Sequence, residues 1–160
     1  MPRWTDSLAR AARRAAATLR HHERNTGPVE RRTEPTARLV TADVRVEYTP
    51  SIDGDPDPGE VVWAWIPFED DPTLGKDRPV VIIGRHGDFL SGVALTSKER
   101  NGWVDVGTGD WDSKHRRSYA KVDRLLDVDV HTVRREGSIL NRRQFDQVVD
   151  AVVRLHTVVR

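Results

Sequence analysis

A cluster of four basic residues in the second half of the chain is the stretch of sequence best suited to bind another molecule. Its members are Lys114, Arg116, Arg117 and Lys121. Cations spaced this closely favour electrostatic binding of a phosphate backbone. Trp111 in the same stretch and Trp103 nearby offer aromatic faces on which bases can stack. Structural roles are the alternative for both residues. We expect Trp103 to lie in the core. For Trp111, base stacking and anchoring of its loop both stay open.

The composition narrows the range of chemistry. The chain of 160 residues has no cysteine, which excludes a disulfide framework, a Cys-ligated zinc site and a thiol nucleophile. No apolar run approaches the roughly 18 residues that a membrane span requires, and the N-terminus lacks the apolar segment of a secretory signal. We therefore expect a cytoplasmic protein without a membrane partner. His86 and His115, which can titrate near neutral pH, are expected at the surface.

The net charge of +1 hides three unlike segments. Residues 1–46 hold ten Arg and five acidic residues, and residues 47–75 hold eight acidic residues with no Lys or Arg. Residues 76–160 hold sixteen basic and twelve acidic residues. Such segregation argues for segments with different partners. We expect a local basic groove within residues 76–124.

The first 58 residues are expected to form an extension that precedes the main domain. The spacing from Thr5 to Arg24 predicts a helix with an alanine-rich face and an arginine-rich face. A solvated helix is the favoured interpretation, and a helix that touches RNA or a lipid surface is the alternative. Residues 25–58 are rich in Pro and Gly, which predicts a linker with one short strand at Val40–Tyr48. The predicted domains are thus a basic extension with an acidic linker (1–58) and a barrel domain (59–160).

From Gly59 onward, short β-branched and aromatic runs alternate with turn residues, as is typical of a mainly β domain. The predicted strands are Glu60–Phe68, Arg78–Arg85, Phe89–Ser97, Trp103–Val106, Ser118–Val122, Leu125–Asp127 and Thr132–Arg135, with loops at Glu69–Asp77 and Gly107–Arg117. Apolar residues on both faces of the first strand predict that it is covered on both sides. Asn141 is the predicted cap of a helix that reaches to about Val159. Short strands closed by one helix predict a small SH3-like barrel.

Five short motifs in this domain follow one another in a fixed order. They are GEVVW at Gly59–Trp63, DPTLG at Asp71–Gly75, RPVVII at Arg78–Ile83, LTS at Leu95–Ser97 and SYAKVD at Ser118–Asp123. Gly137, Leu140 and the C-terminal helix complete the set. On these residues, the chain from Gly59 to Arg160 resembles the MazF/PemK (Kid-like) toxins of bacterial type II toxin–antitoxin systems. Each motif alone is weak, but the ordered set is specific.

The resemblance implies an SH3-like barrel of the CcdB/PemK/MazF kind, a homodimer, and cleavage of single-stranded RNA without a metal or other cofactor. It also implies a cognate antitoxin whose C-terminal tail occupies the RNA groove, and DNA binding by the toxin–antitoxin complex. Metal-free cleavage uses the neighbouring 2′-OH as nucleophile and yields a 2′,3′-cyclic phosphate. Such a site needs a base for the 2′-OH, an acid for the leaving 5′-oxygen, and a cation or donor for the oxyanion.

By position in the motifs, the resemblance implies catalytic roles for Arg78, Thr96, Lys121 and Asp123. Arg78 would bind the phosphate and stabilise the transition state through its planar fork. Thr96 would donate a hydrogen bond to the phosphate, Asp123 would be the base and Lys121 the proton donor. Because strand side chains alternate, Lys121 and Asp123 are expected on one strand face. A lysine normally titrates near 10.4, so this role requires desolvation or a cationic neighbour.

Structural roles are the alternatives for the same residues. Arg78 then pairs with Asp77 or Glu60, Thr96 is an ordinary strand residue, and Lys121 forms a surface ion pair with Asp123. The predicted RNA-binding residues, for which ordinary surface or loop positions are the alternative, are Lys76, Trp111, Lys114, Arg116 and Arg117.

The sequence departs from the family at one loop. Only Lys76 and Asp77 separate Gly75 from Arg78, where family members often have five or six residues. Lys76 is the candidate for the donor that this shortening removes. The departure keeps a second hypothesis open: a non-catalytic relative that binds nucleic acid or a protein such as gyrase, the target of the CcdB toxins. A third is an SH3-like interaction module tethered by its basic arm.

Overall fold

The computed structural model of the chain describes residues 30–31, 37–39, 44–51 and 53–159. The helix predicted at residues 5–24 lies outside these ranges. The strands are β1 Glu30–Arg31, β2 Ala37–Leu39, β3 Val44–Val46, β4 Glu60–Pro67, β5 Leu74–His86, β6 Phe89–Thr96, β7 Val104–Gly107, β8 Ser118–Ala120, β9 Leu126–Val128, β10 Arg134–Ile139 and β11 Val158–Val159, with one helix, α1, at Arg142–Leu155.

The strands form a curled, antiparallel sheet with the order β10-β4-β5-β6-β8-β7. Strand β6 changes partner along its length, because Leu90–Gly92 pair with β9 whereas Leu95 and Thr96 pair with β8. This change bends the sheet into a half-barrel. The predicted fold class, mainly β with one C-terminal helix, is confirmed.

Strand β4 is buried along its whole length and separates two cores, as its sequence predicts. Val61 faces the first core, where the helix contributes Phe145 and Val148. Val62 faces the second core, which is built from the other faces of β4, β5, β6 and β9. Burying apolar side chains on both faces explains why the run is continuously hydrophobic rather than alternating with polar residues.

Helix α1 begins where the sequence predicts and ends earlier. The Asn141 side chain accepts the Gln144 N–H at 2.9 Å, and the Gln144 side chain accepts the Asn141 N–H at 3.2 Å, which forms a capping box. The helix ends at Leu155, and Val158–Val159 form β11, which pairs in parallel with β3. β-Branched residues favour this extended end. Within the described residues, no helix is long and apolar enough to cross a membrane.

Strand β5 starts at Leu74, four residues before the predicted start, so the end of the predicted Glu69–Asp77 loop is a strand. Gly75 pairs with Pro67 and Asp77 pairs with Trp65, which extends the β4–β5 ladder. A Cβ at Gly75 would lie 2.4 Å from the Ile66 carbonyl oxygen and 2.7 Å from the Trp65 ring, so only glycine allows this approach. The short connection from Gly75 to Arg78 is therefore part of the β4–β5 ladder.

Residues 44–51, which the sequence assigns to the linker, pack against the barrel. Strand β3 pairs with β5 and falls inside the predicted strand Val40–Tyr48. Val44 is 0% exposed in the first core, and the Tyr48 hydroxyl donates to the Leu140 carbonyl oxygen at 3.0 Å. The described part of this segment is thus held by apolar burial as well as by backbone pairing.

Replacing Val44 with Ala tests whether β3 belongs to the cooperative core. Removing two buried methyl groups is expected to lower the free energy of unfolding by about 2 kcal/mol, because both the transfer energy and packing are lost. Val153→Ala is the matched control, since Val153 is 41% exposed on α1. Its effect should stay within about 0.5 kcal/mol. Urea denaturation measures both, and equal effects would contradict the placement of β3.

Candidate functional site

The candidate site lies where β5 and β6 separate. The last pair in their ladder is Val80 with Ala94, so the continuing register sets Arg78 opposite Thr96 just beyond the paired region. On the other side of β6, the N–H of Lys121 donates to the Ala94 carbonyl oxygen at 2.9 Å. Three adjacent strands therefore deliver Arg78, Thr96 and Lys121 to one end of the sheet.

These residues line two adjoining depressions, each of about 260 Å³, which share Arg78 and Lys121 and which we together call the groove. Its basic lining residues are Lys76, Arg78, Lys98, Arg100, Arg116, Lys121 and Arg124. Its acidic lining residues are Asp77 and Asp112 in the first depression and Glu69 and Asp70 in the second. The groove is therefore positively charged, and its cations fall within residues 76–124.

Arg78 is half-buried in the groove and pairs with neither of the residues suggested as structural partners. Asp77 instead forms an ion pair with Arg134 at 2.6 Å, and a Glu60 carboxylate oxygen accepts the Ser51 N–H. The Arg78 side chain has no hydrogen bond or ion pair among the described residues. Burial, followed by the charge of Arg124, lowers the pKa of the Arg78 guanidinium, which stays protonated at neutral pH. A half-buried guanidinium presents N–H donors in a fork that suits an anion such as a phosphate.

Lys121 has both features that a proton-donating lysine requires. Burial lowers the pKa of its ammonium, and the charge of Arg78 lowers it further, while Asp123 and Glu69 act in the opposite direction. Desolvation disfavours the charged form of an amine, and a nearby cation does the same. The structure therefore moves Lys121 towards the range where it can exchange a proton.

The expectation that Lys121 and Asp123 share a strand face is wrong. Strand β8 ends at Ala120, and residues 121–124 form a turn in which the Arg124 N–H donates to the Lys121 carbonyl oxygen at 3.1 Å. The ring of His156, at the end of α1, donates to the Val122 carbonyl oxygen at 2.8 Å and holds this turn. Lys121 and Asp123 form no ion pair, and Asp123 does not line the groove.

Thr96 lines the first depression on the strand next to Arg78. Its hydroxyl oxygen accepts the Lys98 N–H at 3.2 Å, which fixes the oxygen and leaves the hydroxyl proton available to donate. This geometry suits the predicted hydrogen bond to a phosphate.

The structure decides the places of the two tryptophans near the basic cluster. Trp111 is 4% exposed in the first core, its indole N–H donates to Ser118 Oγ at 3.0 Å, and Gly109 packs under its ring. It cannot stack a base, so that prediction is wrong. Trp103, expected in the core, lies in neither core and lines the groove half-buried.

The basic cluster divides between two surfaces. Arg116 lines the groove, where Asp112 holds its Nε at 2.8 Å. Lys114 is exposed outside the groove, and Arg117 forms an ion pair with Asp105 on another surface. This pair raises the pKa of Arg117, and the Gly107 N–H, followed by Arg117, lowers the pKa of Asp105. The expected track through Lys114 and Arg117 is therefore not part of the groove.

Sequence reasoning missed Lys98, Arg100, Arg124 and Asp112, all of which line the groove. Lys98 and Arg100 directly follow β6, and Arg124 follows the turn after β8. One signal could have identified these three cations: basic residues come just after the strands that carry Thr96 and Ala120. No sequence pattern singled out Asp112, since its position in the groove beside Arg116 depends on the fold of the loop before β8. Among the described residues, no group of three metal-ligating side chains is found.

A family model described as PemK-like, MazF-like toxin of type II toxin-antitoxin system matches residues 57–156. The match covers more than half of the chain and includes every motif that carries the resemblance. A search of the curated proteins finds no significant match.

The lowered pKa of Lys121 can be measured by amine modification. The rate of acetylation is expected to rise with a midpoint below 10.5, the ordinary lysine value, because only the neutral amine reacts. Mass spectrometry of the modified peptide gives the profile. Arg78→Gln should move the midpoint to higher pH by removing a neighbouring cation, whereas Arg154→Gln, on the exposed end of α1, should not. An unchanged midpoint in Arg78→Gln would show that the two cations are not coupled.

Proposed function

Since the chain belongs to the PemK-like, MazF-like toxins of type II toxin–antitoxin systems, we propose that it is a metal-independent endoribonuclease that cleaves single-stranded RNA. The observation that carries the proposal is the half-buried Arg78, which has no partner among the described residues and lies beside Thr96 and Lys121 in a cation-lined groove. Fold alone does not define function, so the argument rests on this arrangement.

Arg78 stabilises the phosphate during the reaction. When the 2′-oxygen attacks phosphorus, negative charge grows on the two non-bridging oxygens of the pentavalent centre. A guanidinium presents two parallel N–H groups that match such a pair of oxygens. Because Arg78 is already desolvated and unpaired, little reorganisation is needed as the charge develops. Thr96 adds a hydrogen bond from its hydroxyl to the same phosphate.

Lys121 protonates the leaving group. As the bond from phosphorus to the 2′-oxygen forms, the bond to the 5′-oxygen breaks, and that oxygen takes a proton from the Lys121 ammonium. The products are a 2′,3′-cyclic phosphate and a 5′-hydroxyl. An acid works best when its pKa lies near the working pH, so the lowered pKa of Lys121 favours this step.

The proton of the 2′-OH requires a base, for which Asp123 stays the prediction from the sequence. Its carboxylate accepts the indole N–H of Trp103 at 2.8 Å and lies outside the lining of the groove. The carboxylates of the first depression, Asp77 and Asp112, are ion-paired with arginines. These facts favour one second candidate, a relative that binds RNA through the groove without cleaving it.

The partners follow from the same surface. A type II toxin implies an antitoxin, and we propose that an acidic antitoxin segment competes with RNA for the groove because both are anionic. A homodimer, and DNA binding by the toxin–antitoxin complex, remain part of the proposal through family membership.

Cleavage of a mixed-sequence RNA in EDTA tests the activity. The purified protein is expected to produce 2′,3′-cyclic phosphate ends, and Arg78→Ala should lower the rate by about 10²–10³-fold through loss of oxyanion stabilisation. Arg154→Ala, which removes an equal charge from an exposed position that does not line the groove, should leave the rate unchanged. No cleavage by the unaltered protein across a broad RNA pool, or full activity of Arg78→Ala, contradicts the proposal.

The pH dependence tests the role of Lys121. Activity is expected to fall as pH rises through the lowered pKa of Lys121, because the ammonium is the form that donates the proton. Lys121→Arg keeps a cationic donor that does not titrate in this range, so the alkaline decrease should disappear or move to higher pH. Cleavage rates are corrected for uncatalysed hydrolysis of RNA. An identical alkaline decrease in Lys121→Arg would assign the titration to another group.

A further inference from the structure

Trp103 stands apart from the other described tryptophans. Trp63, Trp65 and Trp111 are 5%, 1% and 4% exposed, whereas Trp103 is half-buried in the wall of the groove. Tryptophan is the largest apolar side chain, so leaving part of it in water forgoes burial energy that the other three gain. A partly exposed indole next to a cationic depression is therefore the feature of the groove that the proposed chemistry does not use.

The indole ring is held in a fixed orientation. Its N–H donates to Asp123 Oδ1 at 2.8 Å, which ties one edge of the ring to the turn after β8. The backbone N–H of Trp103 donates to the Arg100 carbonyl oxygen at 3.1 Å, which fixes the start of the strand. A ring restrained at its edge and backbone loses little freedom when a flat ligand lies on its face.

Two cations lie over the indole ring. The Arg100 guanidinium carbon is 5.1 Å and the Lys121 ammonium nitrogen is 5.2 Å from the ring centroid. Arg100 is exposed, so a base can take the place of its guanidinium on the ring face. Lys121 also lines both depressions together with Arg78. The ring thus adjoins the residues that bind the scissile phosphate in the proposed function.

We infer that Trp103 is a base-stacking residue that selects unpaired nucleotides beside the scissile phosphate, and that Asp123 is its positioning residue. The inference rests on the proposed function and deepens it. A base that lies on Trp103 places its own phosphate towards Arg78 and Lys121, and Arg100 can cover the other face of the base. Stacking requires an exposed base face, so the groove selects single-stranded RNA over duplex.

This assignment gives Asp123 a role other than the base implied by its motif position, and the proton of the 2′-OH then passes to solvent water. A general base must reach the proton that it removes. The Asp123 carboxylate reaches the edge of Trp103 and is not among the groove-lining groups. An Asn at this position keeps an oxygen that accepts the indole N–H but cannot remove a proton, so the two roles give opposite results for Asp123→Asn.

Binding of a 2′-O-methyl single-stranded RNA tests the stacking, because this probe has no 2′-OH and cannot be cleaved. Trp103→Ala is expected to weaken binding by about 10- to 100-fold, whereas Trp103→Phe, which keeps an aromatic face, should stay within about threefold of the unaltered protein. Phe89→Ala removes an exposed aromatic ring at the turn between β5 and β6 and is the matched control. Circular dichroism and thermal unfolding check that each variant is folded.

A series of probes, each with one abasic position, locates the stacked base. The unaltered protein is expected to lose affinity at one position in the series, and Trp103→Ala should be insensitive at that same position. If Trp103→Ala binds the intact probe as tightly as the unaltered protein, or if both lose affinity equally at every abasic position, stacking on Trp103 is overturned.

Cleavage kinetics test the role of Asp123. For a positioning residue, Asp123→Asn should keep kcat and KM within about threefold, and Asp123→Ala should raise KM much more than it lowers kcat. For a general base, Asp123→Asn should lower kcat by about 10²–10⁴-fold with little change in KM, which overturns the assignment. Asp146→Asn on α1 is the matched control, since Arg142 is the ion-pair partner of Asp146 among the described residues.

The outcomes separate this inference from the proposed function. If the protein binds the 2′-O-methyl probe through Trp103 but cleaves no RNA, stacking stands and the nuclease proposal falls. If it cleaves RNA and Trp103→Ala binds the probe normally, the nuclease proposal stands and stacking falls. If the unaltered protein does not bind the probe, stacking is overturned whatever the cleavage assay shows.

Discussion

The end of the β5–β6 ladder at Val80 and Ala94 is the constraint on which the site depends. Strand β6 pairs with β9 early and β8 late, so it curves away from β5 after Ala94. A Cβ at Gly92 would lie 2.6 Å from Val80 Cγ1 and 2.7 Å from the Val81 carbonyl oxygen, so the close approach before the separation requires glycine. The separated strands leave Arg78 and Thr96 facing each other without backbone pairing, and that gap is the groove.

The same geometry explains the electrostatics of the groove. Burying Arg78 near Arg124 and Lys121 brings like charges together in a partly desolvated place, and each pKa shift there reflects that cost. A bound phosphate would offset it, because an anion stabilises the charged forms of both Arg78 and Lys121. In the proposed reaction, binding and proton donation are therefore linked, because the phosphate whose leaving oxygen needs a proton also raises the pKa of Lys121. The balance between burial and the bound phosphate would then set how readily Lys121 releases its proton.

Features that follow from local periodicity could be predicted from the sequence, and features that depend on tertiary pairing could not. The β4 run and the Asn141 cap are local, and both were predicted correctly. The early start of β5 depends on Gly75 passing under Trp65, which no local pattern reveals. The core position predicted for Trp103 and the RNA-binding role predicted for Trp111 were wrong for the same reason. Both follow turn residues, and only the packing of Gly109 against Trp111 decides which ring enters the core.

Motif position predicted which residues surround the groove better than it predicted their partners. Arg78 and Thr96 lie on adjacent strands and Lys121 directly follows the next strand, so the ladder that aligns the motifs also brings these side chains together. Asp123 lies past the end of β8, where a turn decides its direction, and its hydrogen-bond partner comes from the chain just before β7. A motif match identifies the residue type at a position but not the group to which that residue is hydrogen-bonded. Because Trp103 takes the carboxylate, the groove gains a fixed aromatic wall where the motif alone implies a base.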